Sequence, residues 1–406
     1  MTERSAAART TTGPADPLDL LELGGSLSDE ERQIRDVVRR LVDDRVRPHV
    51  AAWYEDGRAP VRELATEFGK LGLLGMHLTG YGCAGSSAVA YGLACQELEA
   101  GDSGIRSLVS VQGSLAMYAI WRYGSEEQKH RWLPSMATGA AIGCFGLTEA
   151  DHGSDPAGMV TRARRDGSDW VLTGGKMWIT NAPVADVAVV WARAAADGDD
   201  AGRVLGFVVP MDAPGVTARE IRRKLSLRAS STGEIVLDDV RLPADARLPE
   251  AVGLKAPLSC LTEARHGIVW GALGAARDCL ATALTYAGTR HQFGRPLAGF
   301  QLTQAKLADM VLELQKGQLL ALHLGRLADR GALRSEQVSM GKLNNVREAL
   351  TIARQCRTIL GANGVSGEYP VLRHANNLES VLTYEGTSEV HQLIIGQRLT
   401  GVNAFG

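Results

Sequence analysis

Apolar residues recur every three or four positions through most of the first third of the chain, which is the spacing of amphipathic helices. Ser28 and Glu31 form an S-x-x-E capping box directly before the first such run, so a helix is predicted to begin there. The same spacing predicts further helices over residues 61–74, 88–100, 107–123 and 126–137. A glycine-bearing loop, YGCAGSS, interrupts the series. Residues 26–139 are therefore predicted to form an N-terminal helical domain.

The hydrophobic pattern changes after Gly139, where short apolar runs alternate with turn residues. Runs such as AIGCFGLTE, DWVLTGGKMWIT, VLGFVVPM and GEIVLDDVRLP have the length and composition of strands. The dipeptides Asp166-Gly167 and Gly174-Gly175 are typical of hairpin turns. This region has about a hundred residues, which is the size of a β-sandwich or small barrel. Residues 140–249 are therefore predicted to form a middle β domain.

Helical spacing returns near Ala256 and continues almost to the end of the chain. Four long segments fit it, over residues 258–287, 302–328, 335–360 and 373–399. Long helices with short connections are typical of a four-helix bundle, predicted here over residues 250–406. The predicted fold class is therefore α+β and mostly α, with a β domain between two helical regions. Residues 1–25 are predicted to be a disordered tail.

Composition, charge and missing motifs argue against several classes of protein. The 406 residues carry a formal net charge of -2, which gives no field that favours nucleic acid or an anionic membrane. No apolar run reaches the length of a transmembrane helix. The six cysteines have neither CxxC nor zinc-ligand spacing, which predicts reduced thiols, a cytoplasmic location and no metal site. The chain also lacks GxxxxGK[ST], HExxH, GxSxG and a strand-to-helix GxGxxG.

One carboxylate, Glu385 in TYEGTSEVHQL, stands between an aromatic ring and a glycine. In a pocket of apolar groups its pKa would be raised, because burial disfavours the charged form. Such a group can remove a proton from a carbon next to a carbonyl. On this motif alone, an exposed helix residue or a capping carboxylate is the competing interpretation.

Four other motifs carry candidate binding groups. GCFGLTEADHGSD places Thr148 and Ser154 in a glycine-rich turn, and KMWITN places Trp178 and Thr180 at alternate strand positions, where they can cover a planar cofactor. RHQFGRPL lies between two bundle helices. LGANG follows a helix, where a glycine loop can present N–H groups to phosphate or can simply end the helix.

Together these motifs resemble the acyl-CoA dehydrogenase family of flavoenzymes. The matching stretches are LTEADHGSD, KMWITN, RHQFGRPL, LGANG and YEGTSEVHQLIIG, in the family's order and spacing, and the likeness runs from about Ser26 to Gly401. The resemblance implies the three-domain fold predicted above. It also implies FAD as cofactor, an acyl-CoA substrate, an electron-transferring flavoprotein as electron acceptor and a homotetramer.

By resemblance, Glu385 is the catalytic base that removes the α-proton of an acyl thioester while a hydride leaves the β-carbon. The thioester oxygen would be held by the flavin ribityl chain and the backbone N–H of Glu385, with Tyr384 and Gly386 shaping the pocket. Arg265 matches a residue near the CoA phosphates. The positions matched to flavin-site residues are Phe145, Leu147, Thr148, Ser154 (also at the thioester), Trp178, Thr180, Thr387 and Glu389. Those matched to the nucleotide end, across a subunit boundary, are Arg290, Gln292, Phe293, Gly361 and Ala362.

Substrate choice is suggested by a narrower likeness. Stretches such as AYGLACQELEAGDSGIRSLVSVQGSLAM are most similar to the branch of the family that oxidises and decarboxylates glutaryl-CoA to crotonyl-CoA. In that branch an arginine pairs with the distal carboxylate and a glutamate lies near it. These positions are Arg106, followed by Ser107, and Glu99, and the guanidinium fork suits a carboxylate. Ile105 stands where an aromatic residue is common, which leaves room for a differently shaped pocket.

Alternatives to this function stay open. The chain could oxidise another short acyl thioester, on CoA or an acyl carrier protein, without decarboxylation, or reoxidise its flavin directly with O₂. It could also be a flavin-free scaffold that kept only the fold, although the intact motifs argue against this. Arg106 could be a helix-start residue in a structural ion pair. Some family members take their base from the position of Ala264, so the neighbouring Glu263 is a control.

Overall fold

The computed structural model describes residues 16–196 and 200–405 of the chain. Of the predicted tail, residues 1–15 lie outside the described part. Residues 16–25 are packed rather than disordered, since Leu23–Ser26 forms a 3-10 turn and the Leu21 N–H donates to Gln315 of the bundle at 2.9 Å. No helix of the described residues is long and apolar enough to cross a membrane.

The N-terminal region is helical, and its predicted capping box is confirmed: Ser28 and Glu31 exchange backbone-to-side-chain hydrogen bonds at 2.8 and 3.2 Å. A short hairpin (β1 Thr79–Gly80, β2 Cys83–Ala84) occupies the glycine-bearing loop. The helices are α1 (Asp29–Arg45), α2 (Val50–Asp56), α3 (Val61–Lys70), α4 (Ala88–Gly101), α5 (Ser103–Ser110), α6 (Tyr118–Tyr123) and α7 (Glu126–Ala137).

The helix predicted over residues 107–123 begins earlier and is not uniform. Asp102 caps α5, because its carboxylate accepts the Gly104 N–H at 2.8 Å, and the chain passes through a π-helical segment, Val111–Met117, before α6. The Asp-Ser-Gly cap was not recognised in the sequence. As a result Arg106 lies in the first turn of α5 rather than in front of a helix.

The middle region is one sheet of eight strands, in the order β10-β7-β6-β4-β5-β9-β8, with β3 parallel to β6. Its core includes Trp170, Phe207 and Leu237, which are buried between the faces of the curved sheet. The strands are β3 (Gly143–Gly146), β4 (Arg162–Asp166), β5 (Asp169–Thr180), β6 (Val187–Ala194), β7 (Val204–Pro210), β8 (Val216–Glu220), β9 (Thr232–Leu242) and β10 (Arg247–Val252).

The two predicted hairpin turns have different outcomes. The Asp166-Gly167 turn is confirmed, since β4 and β5 pair antiparallel up to Asp166 and Asp169. The Gly174-Gly175 turn is wrong, because both glycines lie inside β5, where its pairing with β9 shifts register. Gly174 serves close packing there: a Cβ atom would lie 2.6 Å from the Thr161 hydroxyl.

The C-terminal region contains the predicted long helices as α8 (Lys255–Thr289), α9 (Gln301–Asp329) and α10 (Ser335–Leu360), with a hairpin of β11 (His291–Gln292) and β12 (Arg295–Pro296) after α8. The fourth predicted helix is wrong as a single element. It consists of α11 (Val371–Thr383) and α12 (Ser388–Thr400), separated by residues 384–387. The backbone at Glu385 and Gly386 has positive φ, 53° and 103°, which ends one helix, and Thr387 caps the next.

The N-terminal region and the bundle share a continuous apolar core that includes Leu98, Ile105, Val269 and Leu273. Helices α4 and α8 cross at close range because glycine faces the neighbouring backbone. A Cβ atom at Gly274 would lie 1.8 Å from the carbonyl oxygen of Gln96. This close crossing carries the polar residues of α4 and α5 to the loop between α11 and α12.

Candidate active site

Residues 384–387, here called the Glu385 loop, place one carboxylate among buried side chains of α5, α8 and α10, and these surroundings are here called the pocket. Glu385 itself is half-buried, and its Oε2 atom is shielded from solvent without a hydrogen-bond partner among the described residues. A non-glycine residue with positive φ is strained, and such strain is common at functional sites. The loop therefore aims an unpaired carboxylate at the pocket.

Arg106 of α5 contacts the Glu385 loop through Tyr384 and is fully buried. Its Nε atom donates to Glu99 Oε2 at 2.7 Å, and its Nη2 atom donates to the Tyr384 hydroxyl. The remaining nitrogen, Nη1, has no partner among the described residues, and neither has Glu99 Oε1. The structural ion pair predicted as the alternative role of Arg106 is present, yet it leaves a buried donor free.

The buried pair depends on a glycine that the sequence reasoning missed. A Cβ atom at Gly271 of α8 would lie 2.1 Å from Glu99 Oε2 and 3.2 Å from Arg106 Nε. Alanine at this position would therefore push the carboxylate away from the guanidinium. The neighbours of Arg106 on α5, Ile105 and Ser107, are 1% and 2% exposed, so both are packed in the protein interior.

Arg265 of α8 lies against the Glu385 loop. Its Nε atom donates to the carbonyl oxygen of Glu385 at 2.6 Å, and the residue is buried. A Cβ atom at Gly386 would approach Arg265 Nη2 to 3.2 Å and His391 Nε2 to 3.0 Å, so glycine is required there. The expected position of Arg265 near the CoA phosphates stays a prediction, and the structure adds its contact with the loop.

Lys342 of α10 also contacts the Glu385 loop, and it was not identified from the sequence. Its Nζ atom donates to the carbonyl oxygens of Tyr384 at 2.7 Å and Gly386 at 2.6 Å. The lysine stands on the buried stripe of α10 with Val338 and Val346 at helical spacing. A charged residue on an otherwise apolar stripe was the sequence signal for it.

Burial and the neighbouring charges have opposite effects on the pKa values of Glu385 and Lys342. Burial raises the pKa of Glu385, while the positive charges of Arg106, Lys342 and Arg265 act in the opposite direction. Burial lowers the pKa of Lys342 to about 7, against the influence of Glu385. The arrangement suits a carboxylate that takes up a proton from a bound ligand and becomes a neutral acid.

Glu263, the control position, faces a different environment. Burial raises its pKa to about 6, and its charge acts on Tyr118 and Cys260 rather than on the groups around Glu385. It also follows Thr262 on α8 one residue before the buried Ala264, so it points away from the side of the helix that carries Arg265.

A second group of predicted residues lies at the edge of the sheet. Thr148 accepts the Met177 N–H through its carbonyl at 2.9 Å, which brings it beside Trp178. The Trp178 indole is 57% exposed and its backbone has positive φ, while Thr180 is half-buried. Ser154 is exposed in the loop that follows. These groups form an open rim, with Phe145 and Leu147 buried behind it.

A buried ion pair fixes this rim. Lys176 Nζ donates to Glu149 Oε1 at 2.7 Å and to the Leu147 carbonyl at 3.2 Å. Glu149 accepts the N–H groups of Val160 and Thr161, so it ties both ends of the loop to β5. Both charged residues lie inside the quoted motifs LTEADHGSD and KMWITN, although neither was singled out.

The residues predicted for the nucleotide end form a third group at the end of α8. The Tyr286 hydroxyl accepts from Asn363 at 3.0 Å, which places the loop of Gly361 and Ala362 against the last turn before Arg290. Gln292 and Phe293 are exposed in the β11–β12 hairpin, Phe293 by 93%. Among the described residues, no hydrogen bond joins this group to Thr148 or Trp178.

Thr387 and Glu389 belong to the start of α12. Thr387 accepts the Val390 N–H at 3.4 Å as the N-cap, and Glu389 is exposed in the first turn. These positions leave the Glu389 carboxylate available at the surface, whereas the Thr387 hydroxyl already serves the helix. Among the described residues, no cluster of acidic, histidine and cysteine side chains could hold a metal ion.

Comparison with known proteins decides the family. Three models match in chain order: acyl-CoA dehydrogenase N-terminal domain over residues 28–140, middle domain over 144–240 and C-terminal domain over 251–400. The chain is also 36% identical over 378 residues to the mitochondrial short-chain specific acyl-CoA dehydrogenase of Bos taurus, covering 92% of this chain and 90% of the relative. The chain belongs to the acyl-CoA dehydrogenase family.

Solved structures give a more detailed likeness for this acyl-CoA dehydrogenase. A crystal structure of glutaryl-CoA dehydrogenase from Mycobacterium smegmatis is 70% identical, with a TM-score of 0.93, and the match covers 96% of this chain and 99% of that one. A structure of a glutaryl-CoA dehydrogenase from the same organism in complex with FADH2 is 64% identical, with the same TM-score and coverage. The predicted family and fold class are confirmed.

Proposed function

We propose that this enzyme oxidises glutaryl-CoA with FAD as its cofactor and decarboxylates the product to crotonyl-CoA. The observation that carries the choice of substrate is the unpaired Nη1 atom of Arg106, a buried guanidinium donor on the pocket that Glu385 faces. A buried donor without a partner is costly, and the distal carboxylate of glutaryl-CoA would satisfy it. The similarity to glutaryl-CoA dehydrogenases supports the same substrate.

The residues at the sheet edge fit a flavin. The exposed Trp178 indole offers a flat apolar surface, and Thr148 and Thr180 place hydroxyl groups beside it. At the other end, the exposed Phe293 and the Gly361 loop fit an adenine nucleotide that a partner subunit completes. When bound, FAD supplies the acceptor for the hydride that leaves the substrate β-carbon. The Glu149–Lys176 pair holds the rim in place for it.

Glu385 acts as the base in this proposal. Its carboxylate takes the α-proton as the hydride leaves the β-carbon, so the thioester is oxidised by two electrons to the α,β-unsaturated product. The backbone N–H of Glu385 is assigned to the thioester oxygen, where negative charge develops. Tyr384, hydrogen-bonded to Arg106, closes the pocket beside the acyl chain. Arg265 and Lys342 hold the loop carbonyls.

Arg106 and Glu99 then act on the distal end of the substrate. Arg106 holds the distal carboxylate so that the C–CO₂ bond stands out of the plane of the unsaturated thioester, where its electrons can pass into the conjugated system, giving CO₂ and a dienolate. The protonated Glu385 returns its proton to the γ-carbon, which completes crotonyl-CoA. Glu99 fixes the guanidinium from behind at 2.7 Å. Electrons pass from the reduced cofactor to an electron-transferring flavoprotein. We further propose that the enzyme is a homotetramer and is located in the cytoplasm.

A second candidate function is the oxidation of an uncharged short acyl thioester, on CoA or an acyl carrier protein. Two observations favour it: the buried apolar Ile105 beside Arg106, and the 36% identity with a short-chain specific acyl-CoA dehydrogenase. In this alternative, the Glu99–Arg106 pair would be a structural element and the acyl chain would end before it. Glu385 would keep its role as base.

Anaerobic mixing of the purified holoenzyme with glutaryl-CoA and, separately, butyryl-CoA distinguishes the two functions. Flavin bleaching with glutaryl-CoA and formation of crotonyl-CoA, identified by mass, is the expected result. Bleaching with glutaconyl-CoA as the final product would contradict the decarboxylation step. Bleaching by butyryl-CoA alone would replace the proposal with the second function.

The double variant Arg106→Met, Glu99→Gln isolates the role of Arg106, because it removes both charges of the buried pair and leaves neither charge unpaired. We expect it to lose glutaryl-CoA turnover and keep butyryl-CoA bleaching. Arg354→Met is the matched control, since Arg354 forms an exposed ion pair with Glu379 on the bundle surface. Unchanged glutaryl-CoA turnover in the double variant would exclude Arg106 as the carboxylate ligand.

A further inference from the structure

Lys342 is a buried lysine whose hydrogen bonds all go to the Glu385 loop. The residue is 2% exposed, and its Nζ atom lies 2.7 Å from the Tyr384 carbonyl oxygen and 2.6 Å from that of Gly386. Among the described residues, no carboxylate forms an ion pair with it. The ammonium group therefore spans the residue before and the residue after Glu385 without contacting the Glu385 carboxylate directly.

A lysine that only capped the C-terminus of α11 would not need to be buried between two carbonyl oxygens. A cation near the end of α11 is stabilising at the surface, but burying an ammonium group without a carboxylate partner is costly. The cost is offset only if the loop conformation needs both carbonyls held at once. Glu385 has φ of 53°, a conformation that a residue with a Cβ atom adopts at a cost of roughly 1–3 kcal/mol. Lys342 holds the carbonyl groups of the residues before and after this strained residue.

The charged groups around Glu385 come from every helix that packs on the loop. Arg106 faces it from α5, Arg265 from α8 and Lys342 from α10, while the buried imidazole of His391 lies on α12. Tyr384 is its neighbour in the loop, and Glu99 on α4 acts on Tyr384 from behind Arg106. Arg106 is paired with the Glu99 carboxylate, whereas Arg265 and Lys342 donate to backbone carbonyls of the loop and form no ion pair among the described residues. Lys342 differs from Arg265 in holding two of these carbonyls.

We propose that Lys342 is a positioning residue for the reaction: it clamps the carbonyls on both sides of Glu385, and its charge keeps the Glu385 carboxylate ionised until substrate binds. The inference rests on the proposed role of Glu385 as the base. It predicts two separable effects, one on the geometry of the loop and one on the proton affinity of the carboxylate.

The test is the rate of flavin reduction by butyryl-CoA as a function of pH, measured by anaerobic rapid mixing of the holoenzyme. Butyryl-CoA carries no distal carboxylate, so the result does not depend on Arg106. Lys342→Met keeps the length of the side chain and removes the charge. We expect the maximal rate to fall about tenfold or more, which corresponds to the loss of one charge-assisted contact. We also expect the midpoint of the pH profile to move to higher pH. Loss of a positive charge favours the protonated carboxyl, which fixes this direction.

Lys342→Arg separates the two effects and serves as the variant more certain to fold. It keeps the charge but replaces the compact ammonium by a planar fork, which cannot reproduce both hydrogen bonds. We expect the rate to fall and the pH midpoint to stay within the error of the unaltered enzyme. A rate and a midpoint that are both unchanged in this variant would overturn the clamp, whether or not Lys342→Met folds.

A merely structural role for Lys342 has a different signature. It would lower the melting temperature or the flavin content of Lys342→Met and leave the pH midpoint of the remaining holoenzyme unchanged, and that result overturns the proposal. Failure of the underlying role of Glu385 is recognised separately with Glu385→Gln. If Glu385→Gln still reduces its flavin with butyryl-CoA, Glu385 is not the base. The Lys342 inference then fails as well, and the Glu385 variant, not the Lys342 variants, reveals this cause.

Discussion

Arg106 Nε lies 2.7 Å from Glu99 Oε2, and neither side chain has any exposed surface. The two residues come from adjacent helices, α4 and α5, separated only by the Asp102 cap. This short connection fixes the guanidinium against the Glu385 loop, which lies more than 270 positions later in the chain. The buried Glu99–Arg106 pair therefore helps to fix both the proposed carboxylate ligand and the loop that carries Glu385.

Removing one member of this pair should cost more stability than removing both. Glu99→Gln leaves the Arg106 charge buried with a weaker partner, and we expect a loss of about 3–5 kcal/mol in the free energy of unfolding. The double variant Glu99→Gln, Arg106→Met should lose less, because no charge is left unpaired. Denaturant unfolding of both holoenzymes provides the measurement. Equal losses would show that the charges are not coupled.

Gly271→Ala should disturb the pocket through a single methyl group. Its Cβ atom would lie 2.1 Å from Glu99 Oε2, so the carboxylate must move, and we expect about 1–3 kcal/mol of destabilisation together with weaker glutaryl-CoA binding. Gly288→Ala on the same helix is the control, since a Cβ atom there meets no atom within 4 Å. We expect Gly288→Ala to leave binding unchanged and stability equal or slightly higher. Similar behaviour of the two variants would contradict the packing argument.

The pH profile of flavin reduction should report Glu385. Only the carboxylate form accepts the α-proton, so the rate should rise with pH through the pKa of Glu385, and burial places that rise above the ordinary glutamate value. Glu385→Gln should lower the rate roughly 100- to 10,000-fold at every pH. Glu263→Gln should keep both the rate and the profile. A profile that moves with Glu263→Gln would transfer the role of base to Glu263.

Lys176→Met should loosen the flavin rim without touching the Glu385 loop. Burial acts against ionisation of Glu149, but hydrogen bonds from Lys176, Thr161 and Val160 lower its pKa to about 2. A lowered pKa stabilises the folded loop above the ordinary glutamate value, and this stability is lost as the pH falls towards 2. Without Lys176, the pKa of Glu149 rises, so FAD should be released at a higher pH during acidification.

Flavin fluorescence during acid titration measures this release. Lys316→Met is a suitable control, because Lys316 is half-exposed and pairs with Glu313 one turn away on the surface of α9. Such an exposed pair contributes little to stability. If Lys316→Met and Lys176→Met release FAD at the same pH, the buried pair does not hold the rim.

Helix spacing and turn residues determined most of the architecture. Helices α9 and α10 could be predicted because each repeats buried apolar residues at helical spacing over many turns, and α8 because its apolar run is too long for a strand; both are local properties of the sequence. The strand region was equally recognisable from its short runs and from the Asp166-Gly167 turn. The motifs around Glu385 and Trp178 carried the family and the expected cofactor, since these stretches are contiguous in the chain.

Only the tertiary structure decided which residues meet. The break between α11 and α12 was read as continuous helix, because Glu385 adopts positive φ only where Arg265 and Lys342 hold its neighbouring carbonyls. Likewise, Gly174 resembles a turn residue until the approach of Thr161 shows why it has no side chain. Gly271 carries no local signal of its role, and the sequence around Lys342 shows only a charge on a buried helix stripe, not the loop that it contacts. Their importance comes from atoms far along the chain, and close packing alone brings those atoms within contact distance.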